Sequence, residues 1–369
     1  MMQVKFGDLG RHHAPIAAEV DAAVARVLAS GWYILGPEVR AFEQAFAAYC
    51  GVRHCIGTGN GTDALQLAMV ALGVGAGDEI ITAANDSVYE TIAALSIGAR
   101  PVFVDIDPLT HTIDPSQIAQ AITLRTRLIV PVHLYGRVAE MAPIMELAEA
   151  HGIPVLEDAC QAHGARYRGR RAGGIGAAGC FSFYPTKNLG AYGDGGAVTT
   201  DDDALAATLR ELRQYGWEKK YVTARLGGMN SRLDELQAAV LHTKLAHLDG
   251  WTDRRRAIAA RYAELLGDLP GITLPAEQDD GEPAYHLYVV RSTQRDALRA
   301  SLAARGVGSE IHYPNVTYQQ PVYAHLAPPA PLPHTEQICG EILSLPMYPE
   351  LTDEEVTYVA EAVRASVND

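Results

Sequence analysis

Residues 127–158 read RLIVPVHLYGRVAEMAPIMELAEAHGIPVLED. A β-rich apolar run, RLIVPVH at 127–133, leads into the helical pattern MAPIMELAEAHG at 141–152 and then into a second apolar run, IPVLED at 153–158. Runs that are apolar at consecutive positions suit strands buried on both faces, and an intervening helix is the crossover that parallel strands need. The alternation extends outward from Arg53 to about Tyr215 through EIITA (79–83), PVFVDI (101–106), CFSFYP (180–185) and GAVTT (196–200). The expectation is an α/β fold with a mostly parallel sheet covered on both faces, its sites gathered at the carboxyl ends of the strands.

Upstream, Val20, Val24, Val27 and Leu28 recur at helical spacing, and Val39, Phe42, Phe46 and Tyr49 do so again after Pro37, a residue suited to a first helical turn. Downstream of Asp249 the pattern changes. A basic helix (WTDRRRAIAARYAELL, 251–266) precedes the Pro/Gly/acid-rich stretch 269–283 and the strand YHLYVVR (285–291). A helix after Ser292, the strand EIHYP (310–314), a proline-rich loop from Pro321 to Pro333 and a helix from Thr352 complete the chain. This organisation predicts a large α/β domain over residues 1–249 and a small C-terminal α+β domain over 250–369.

A chain of 369 residues with 48% apolar and 20% charged residues has material for a buried core, which excludes a disordered chain. The 30 basic and 44 acidic side chains give a formal charge of −14, so neither nucleic acid nor an anionic membrane is an expected partner. A local pocket can still attract a small anion. Five cysteines are too few, and odd in number, for a secreted disulfide framework, and the N-terminal residues lack a basic region followed by an apolar core. The apolar stretch 64–76 is shorter than the ~20 residues of a membrane span. A soluble cytoplasmic protein is expected. Cys160 with His163, and His12 with His13, are isolated pairs without further ligands, so no metal centre is expected; no G-x-S-x-G elbow is present.

Lysine occurs only at positions 5, 187, 219, 220 and 244. Lys5 is near a terminus, Lys219 and Lys220 form a charged pair, and Lys244 falls in a helical pattern where exposure is usual. Lys187 differs: it ends CFSFYP and precedes the glycine-rich NLGAYGDGG, where backbone can turn tightly against a ligand, although spacing alone equally allows a solvated loop lysine. Asp158 closes IPVLED at the mouth of a buried strand, where a cationic heterocyclic nitrogen or a structural ion pair would satisfy it. Gln161 and His163, just beyond, could orient that carboxylate or face solvent.

The loop GTGNGTDALQLA (57–68) opens a helix whose free N–H groups and dipole can seat a phosphate, although it is equally a tight turn. It is not a dinucleotide fingerprint, because Thr62 replaces the third glycine. Ser182 could add a hydroxyl to the same phosphate. Tyr89 could lie flat on a planar cofactor or simply pack. A reactive amine, a carboxylate for a ring nitrogen and a phosphate seat are together the requirements of pyridoxal phosphate (PLP).

Over nearly its whole length the chain resembles the DegT/DnrJ/EryC1/StrS family of sugar aminotransferases. The resemblance is carried in order by LGPEVRAFEQAFAAYCG (35–51), NGTDALQLA (60–68), PVHLYGR (131–137), EDACQAHGA (157–165), FSFYPTKNLGAYGDGGAV (181–198), GMNSRLDELQAAVL (228–241) and ILSLPMYPELT (342–352). It implies the aspartate aminotransferase fold (PLP fold type I) with a seven-stranded type of sheet. By the same resemblance Lys187 forms the Schiff base with PLP, Asp158 faces the pyridine nitrogen and Gln161 lies near the ring oxygen. Gly61, Thr62 and Ser182 would hold the phosphate, joined by Asn230 from the second subunit of a homodimer with shared active sites. Tyr89 would stack on the ring, although ANDSVYET departs from the commoner A-N-T-aromatic pattern, and Thr186 stands where many relatives have glycine.

VPVHLYGR, EIHYP and ILSLPMYPELT look most like the branch that aminates C3 of nucleotide-linked 3-keto-6-deoxyhexoses. That similarity implies hexose recognition by Tyr184, His312 and Tyr313, and diphosphate contacts from Lys219, Lys220 and Arg225. The implied reaction takes an amino group from L-glutamate, passes through pyridoxamine phosphate and delivers the amine to a ketosugar, dTDP-linked in the nearest reading. The alternatives are a 4-ketosugar aminotransferase, a PLP-dependent sugar dehydratase, whose Schiff-base lysine is replaced by histidine, and a PLP- or sugar-binding regulator without turnover.

Overall fold

The protein is represented by a computed structural model that describes residues 2–368, so Met1 and Asp369, the outer ends of the two expected domains, lie outside the described residues. Seven strands form its centre: β1 (His54–Thr58), β2 (Glu79–Thr82), β3 (Arg100–Phe103), β4 (Thr126–Ile129), β5 (Leu156–Asp158), β6 (Ala178–Ser182) and β7 (Gly196–Thr200). Regular pairing gives two groups, β1-β7-β6-β5 and β3-β2-β4. They join between β4 and β5, where Ile129 N donates to Pro154 O at 3.1 Å, Asp158 N to Pro131 O at 3.0 Å and His133 N to Asp158 O at 2.9 Å. The result is one seven-stranded sheet in which β7 alone runs against the other six.

Adjacent residues of a strand point to opposite faces, and the core divides accordingly. Cys55, Ile81, Ile129 and Phe181 face a cluster built on the helix Pro37–Cys50, whose Phe46 meets Phe181 edge-on at 4.9 Å. Ile56, Ile80, Leu128 and Cys180 face the opposite cluster, built on the helix Gly61–Ala71. Burial on both sides explains why these strands read as continuous apolar runs.

Beyond Leu248 the helices Leu248–Leu266, Arg295–Ala304 and Asp353–Asn368 accompany an antiparallel pair, Tyr288–Arg291 with Ile342–Leu345. Their apolar faces make a separate core around Tyr262, Leu302, Val359 and Val363, which Val4 enters from the N-terminal segment.

Three local expectations are corrected. Leu28, counted on an apolar face, is 56% exposed, because the helix Ala17–Ser30 is covered along Val20, Ala23 and Val27 only. EIHYP is not a strand; it makes one bridge, Glu310 to Ser344, before Pro314, which has no N–H to continue a ladder. Lys244 is buried, its Nζ donating to Gly190 O at 2.5 Å and lying 5.0 Å from the Tyr192 ring centre.

Candidate active site

The carboxyl ends of β1, β5 and β6 converge on one cavity. After β1 the chain turns through Asn60, whose Oδ1 accepts from Asp63 N at 2.8 Å and caps the helix that starts at Gly61. The absence of a side chain at Gly61 is required, since a Cβ there would lie 2.7 Å from Ser182 Cβ and 3.1 Å from Cys160 Sγ. That leaves the helix N-terminus open beside the Ser182 hydroxyl. After β6 the chain makes a turn in which Lys187 N donates to Tyr184 O at 2.8 Å. Gly190 allows the turn, because a Cβ would come within 2.4 Å of Pro185 O.

The cavity has a volume of about 610 Å³. Of the residues singled out in the sequence, Gly61, Thr62, Tyr89, Ser182, Tyr184, Lys187, His312 and Tyr313 line it. Asp158 and Gln161 are buried outside that lining. Asp158 Oδ1 accepts from Cys160 N at 2.8 Å, and Cys160 is part of the wall. Gln161 accepts from Tyr135 N at 2.8 Å and donates to the Tyr313 hydroxyl at 3.3 Å, which ties it to the opposite wall.

Four expected residues lie elsewhere. Lys219 and Lys220 are exposed on the hairpin formed by Trp217–Lys219 and Val222–Thr223, Arg225 pairs with Glu211, and Asn230 is exposed where its backbone meets Gln214. None of them lines the cavity of its own chain. His163 neither orients Asp158 nor faces solvent: it is enclosed against Phe181 and Phe183 with neither ring nitrogen hydrogen-bonded.

Burial, the largest influence, holds the Lys187 ammonium below the ordinary lysine range, against a weaker upward pull from Cys160, Asp158 and Glu90. A free amine is therefore easier to reach here than on a surface lysine.

The structure also brings in residues that sequence reasoning passed over. Glu90 and Asp86 are both buried beside Asp158. Burial first, and then the charges of Asp86 and Asp158, push the Glu90 carboxyl well above its usual value. His286 and Asn188 stand next to Lys187 across the chain, His286 on the cavity wall. The signal for Asn188 was its place directly after Lys187. Glu90 carried no signal of its own, and His286 read as one member of a strand.

The donor set fits PLP: an open helix N-terminus and a serine hydroxyl for an anion, a buried carboxylate for a ring nitrogen, and an amine lining the same cavity. Fold and site together are those of a PLP enzyme of fold type I. The model of the DegT/DnrJ/EryC1/StrS aminotransferase family matches residues 15–364, and the chain belongs to that family. It is 50% identical over 363 residues to the dTDP-3-amino-3,4,6-trideoxy-alpha-D-glucose transaminase of Streptomyces venezuelae, covering 98% of this chain and 96% of that one. It is 48% identical over 365 residues to the erythromycin biosynthesis sensory transduction protein EryC1 of Saccharopolyspora erythraea, covering 99% and 100%. Among solved structures, S. venezuelae DesV in complex with a ketimine intermediate superimposes with a TM-score of 0.97 at 49% identity, covering both chains in full.

Proposed function

We propose that this aminotransferase moves an amino group from L-glutamate to C3 of a dTDP-linked 3-keto-6-deoxyhexose, giving a 3-amino-3,6-dideoxyhexose, as a cytoplasmic homodimer. The observation that carries the reading is the placement of Lys187, which lines one cavity with Gly61, Thr62 and Ser182 while Asp158 is buried behind the Cys160 wall. The choice of nucleotide and of C3 is supported by the 50% identity to a transaminase named for a dTDP-3-amino sugar.

PLP, when bound, supplies an electron sink for the charge left on a substrate carbon after its proton is removed. Asp158 would pair with the protonated ring nitrogen. Gly61 N–H, Thr62 and Ser182 would hold the phosphate, and Tyr89 would lie against the ring. Lys187 Nζ takes the proton from the substrate carbon and returns it on the other side of the exchange, as base and then acid. Tyr184, His312 and Tyr313 are the hexose contacts.

The shared active site is supported by the open face that carries Lys219, Lys220, Arg225 and Asn230. Large apolar side chains accompany them, with Tyr221 77% and Leu226 93% exposed, a patch suited to a second copy of the chain. Across such an interface the basic side chains would meet the diphosphate of a substrate in the neighbouring cavity.

The name of the S. erythraea relative favours a second reading, a sensor without turnover. One experiment separates the two. The PLP-loaded protein is mixed with glutamate and then with dTDP-, UDP- and GDP-linked 3- and 4-ketosugars, and the new amine is located by NMR. Loss of visible cofactor absorbance with glutamate and a 3-amino dTDP-sugar product are expected. Lys187→Ala should abolish both turnover and that absorbance; an active Lys187→Ala protein overturns the assignment, and an inert wild-type protein favours the sensor.

A further inference from the structure

His286 is held from two sides. Arg255, buried in the helix Leu248–Leu266, donates from Nη1 to the carbonyls of Tyr285 at 3.1 Å and Met347 at 2.8 Å, with a longer contact to His286 O at 3.4 Å. The ring meets Asn188, the residue after Lys187, through Nδ1 and the Asn188 Oδ1 at 3.2 Å. The amide's orientation is set by its other end, since Asn188 Nδ2 donates to Ala284 O at 3.0 Å. Asn188 therefore presents an oxygen to the imidazole, and His286 Nδ1 must carry the hydrogen. In the neutral ring the lone pair is then left on Nε2.

Burial is the main influence holding the His286 pKa well below the ordinary histidine value, and the Lys187 and Arg255 charges act in the same direction, so the neutral ring is favoured. Nε2 has no hydrogen-bond partner among the described residues, yet it is not one of the fully enclosed polar atoms that lack one. It is therefore not fully enclosed, and His286 is part of the cavity wall. His286 also borders a second chamber of about 600 Å³, and Thr186, Lys187, His286 and His312 form the wall common to both. The chain thus sets a hydrogen-bond acceptor on the wall that it shares with the Lys187 amine.

We propose that His286 Nε2 accepts a hydrogen bond from a hydroxyl of the ketosugar adjoining the carbonyl that is aminated, making His286 a specificity residue for the acceptor half of the reaction. This rests on the ketosugar reading above. Glutamate carries no hydroxyl, so the donor half does not use the contact. An acceptor held in place on a cavity wall discriminates against an analogue lacking the hydroxyl, because its lone pair is then left without that donor.

Two near-isosteric substitutions separate the ring's two nitrogens. Asparagine keeps an N–H near the Nδ1 position and removes the atom at Nε2, whereas glutamine places its terminal amide near Nε2. The pyridoxamine phosphate-loaded proteins are titrated with the dTDP-linked 3-keto-6-deoxyhexose and its 2-deoxy and 4-deoxy analogues by calorimetry. Bleaching of the PLP form by glutamate is followed separately. His286→Asn should weaken ketosugar binding about five- to tenfold, lose discrimination against one deoxy analogue and bleach with glutamate at the wild-type rate; His286→Gln should recover most of the affinity. Unchanged ketosugar affinity in His286→Asn, undiminished discrimination, or equal losses in both halves overturns the proposal. A wild-type protein that glutamate does not bleach contradicts the aminotransferase reading, while the calorimetry still decides the contact.

Discussion

His133 Nε2 donates to Glu157 Oε2 at 2.9 Å with both side chains wholly buried. The direction follows from the other ring nitrogen, since His133 Nδ1 accepts from Ala139 N at 3.2 Å. Glu157 also accepts from the N–H groups of Gly173, Ile175 and Gly176 at 2.6–2.8 Å. One carboxylate thus ties β4's extension, β5 and the 173–176 loop together, one residue before Asp158.

Glu157→Gln should therefore destabilise the fold. Burial is the strongest influence on Glu157 and raises its pKa, but the hydrogen bonds from His133 and from the Gly173 and Gly176 N–H groups outweigh it and hold the carboxyl below the usual range. A glutamine nitrogen would face donors, so a loss of about 3–5 kcal/mol is expected, as for other broken buried pairs. Because the folded pKa is lowered, the carboxylate's contribution is present above the ordinary value of 4.5 and fades as pH falls through the folded value. Urea unfolding of both proteins from pH 7 to pH 3 should give a gap that narrows on acidification.

Gly61 and Ser182 leave room for an anion only because position 61 has no Cβ. Gly61→Ala should raise the PLP dissociation constant at least about tenfold, a loss of about 1.4 kcal/mol or more, since the new methyl meets Ser182 and Cys160. Gly75→Ala is the control, because a Cβ there meets nothing within 4 Å. Absorbance titration of the two apoproteins with PLP checks the difference; equal affinities would remove Gly61 from the phosphate seat.

Much of this site was legible because its residues follow local rules. Asp158 closes an apolar strand, Lys187 is followed by glycines, and Gly61 starts a helix, so each position can be singled out from local pattern, while its role comes from the family resemblance. Lys244 could not be read that way. Its helix, Glu235–Leu245, is buried on both sides because Ala17–Ser30 covers Val240 and Ala239 on one face while Leu241 enters the main core on another. The His286–Asn188 contact spans 98 residues and was equally silent. EIHYP misled for the opposite reason, its local β pattern losing to a single tertiary bridge and a proline. What local pattern misses here is the partner, not the residue type.

Glu90 tests how the site tolerates three buried acids. Asp86, Glu90 and Asp158 face one another with Lys187 as the nearby cation and the Tyr313 hydroxyl on the opposite wall. Like charges in so dry a place disfavour one another's ionisation, and burial together with the two aspartates pushes the Glu90 carboxyl well above its usual value. A raised folded pKa means that stability is highest below the ordinary glutamate value of 4.5 and is lost as pH climbs toward the folded value. Glu90→Gln keeps a neutral donor of the same shape and has nothing to ionise. The cofactor-free variant should match the wild type near pH 4.5 and exceed it increasingly at higher pH, by about 1.4 kcal/mol for each pH unit over which ionisation of the wild-type carboxyl is suppressed. Denaturant unfolding from pH 4.5 to pH 8.5 measures this directly; a variant less stable than wild type at pH 8 would mean that Glu90 is ionised and paired in the native protein.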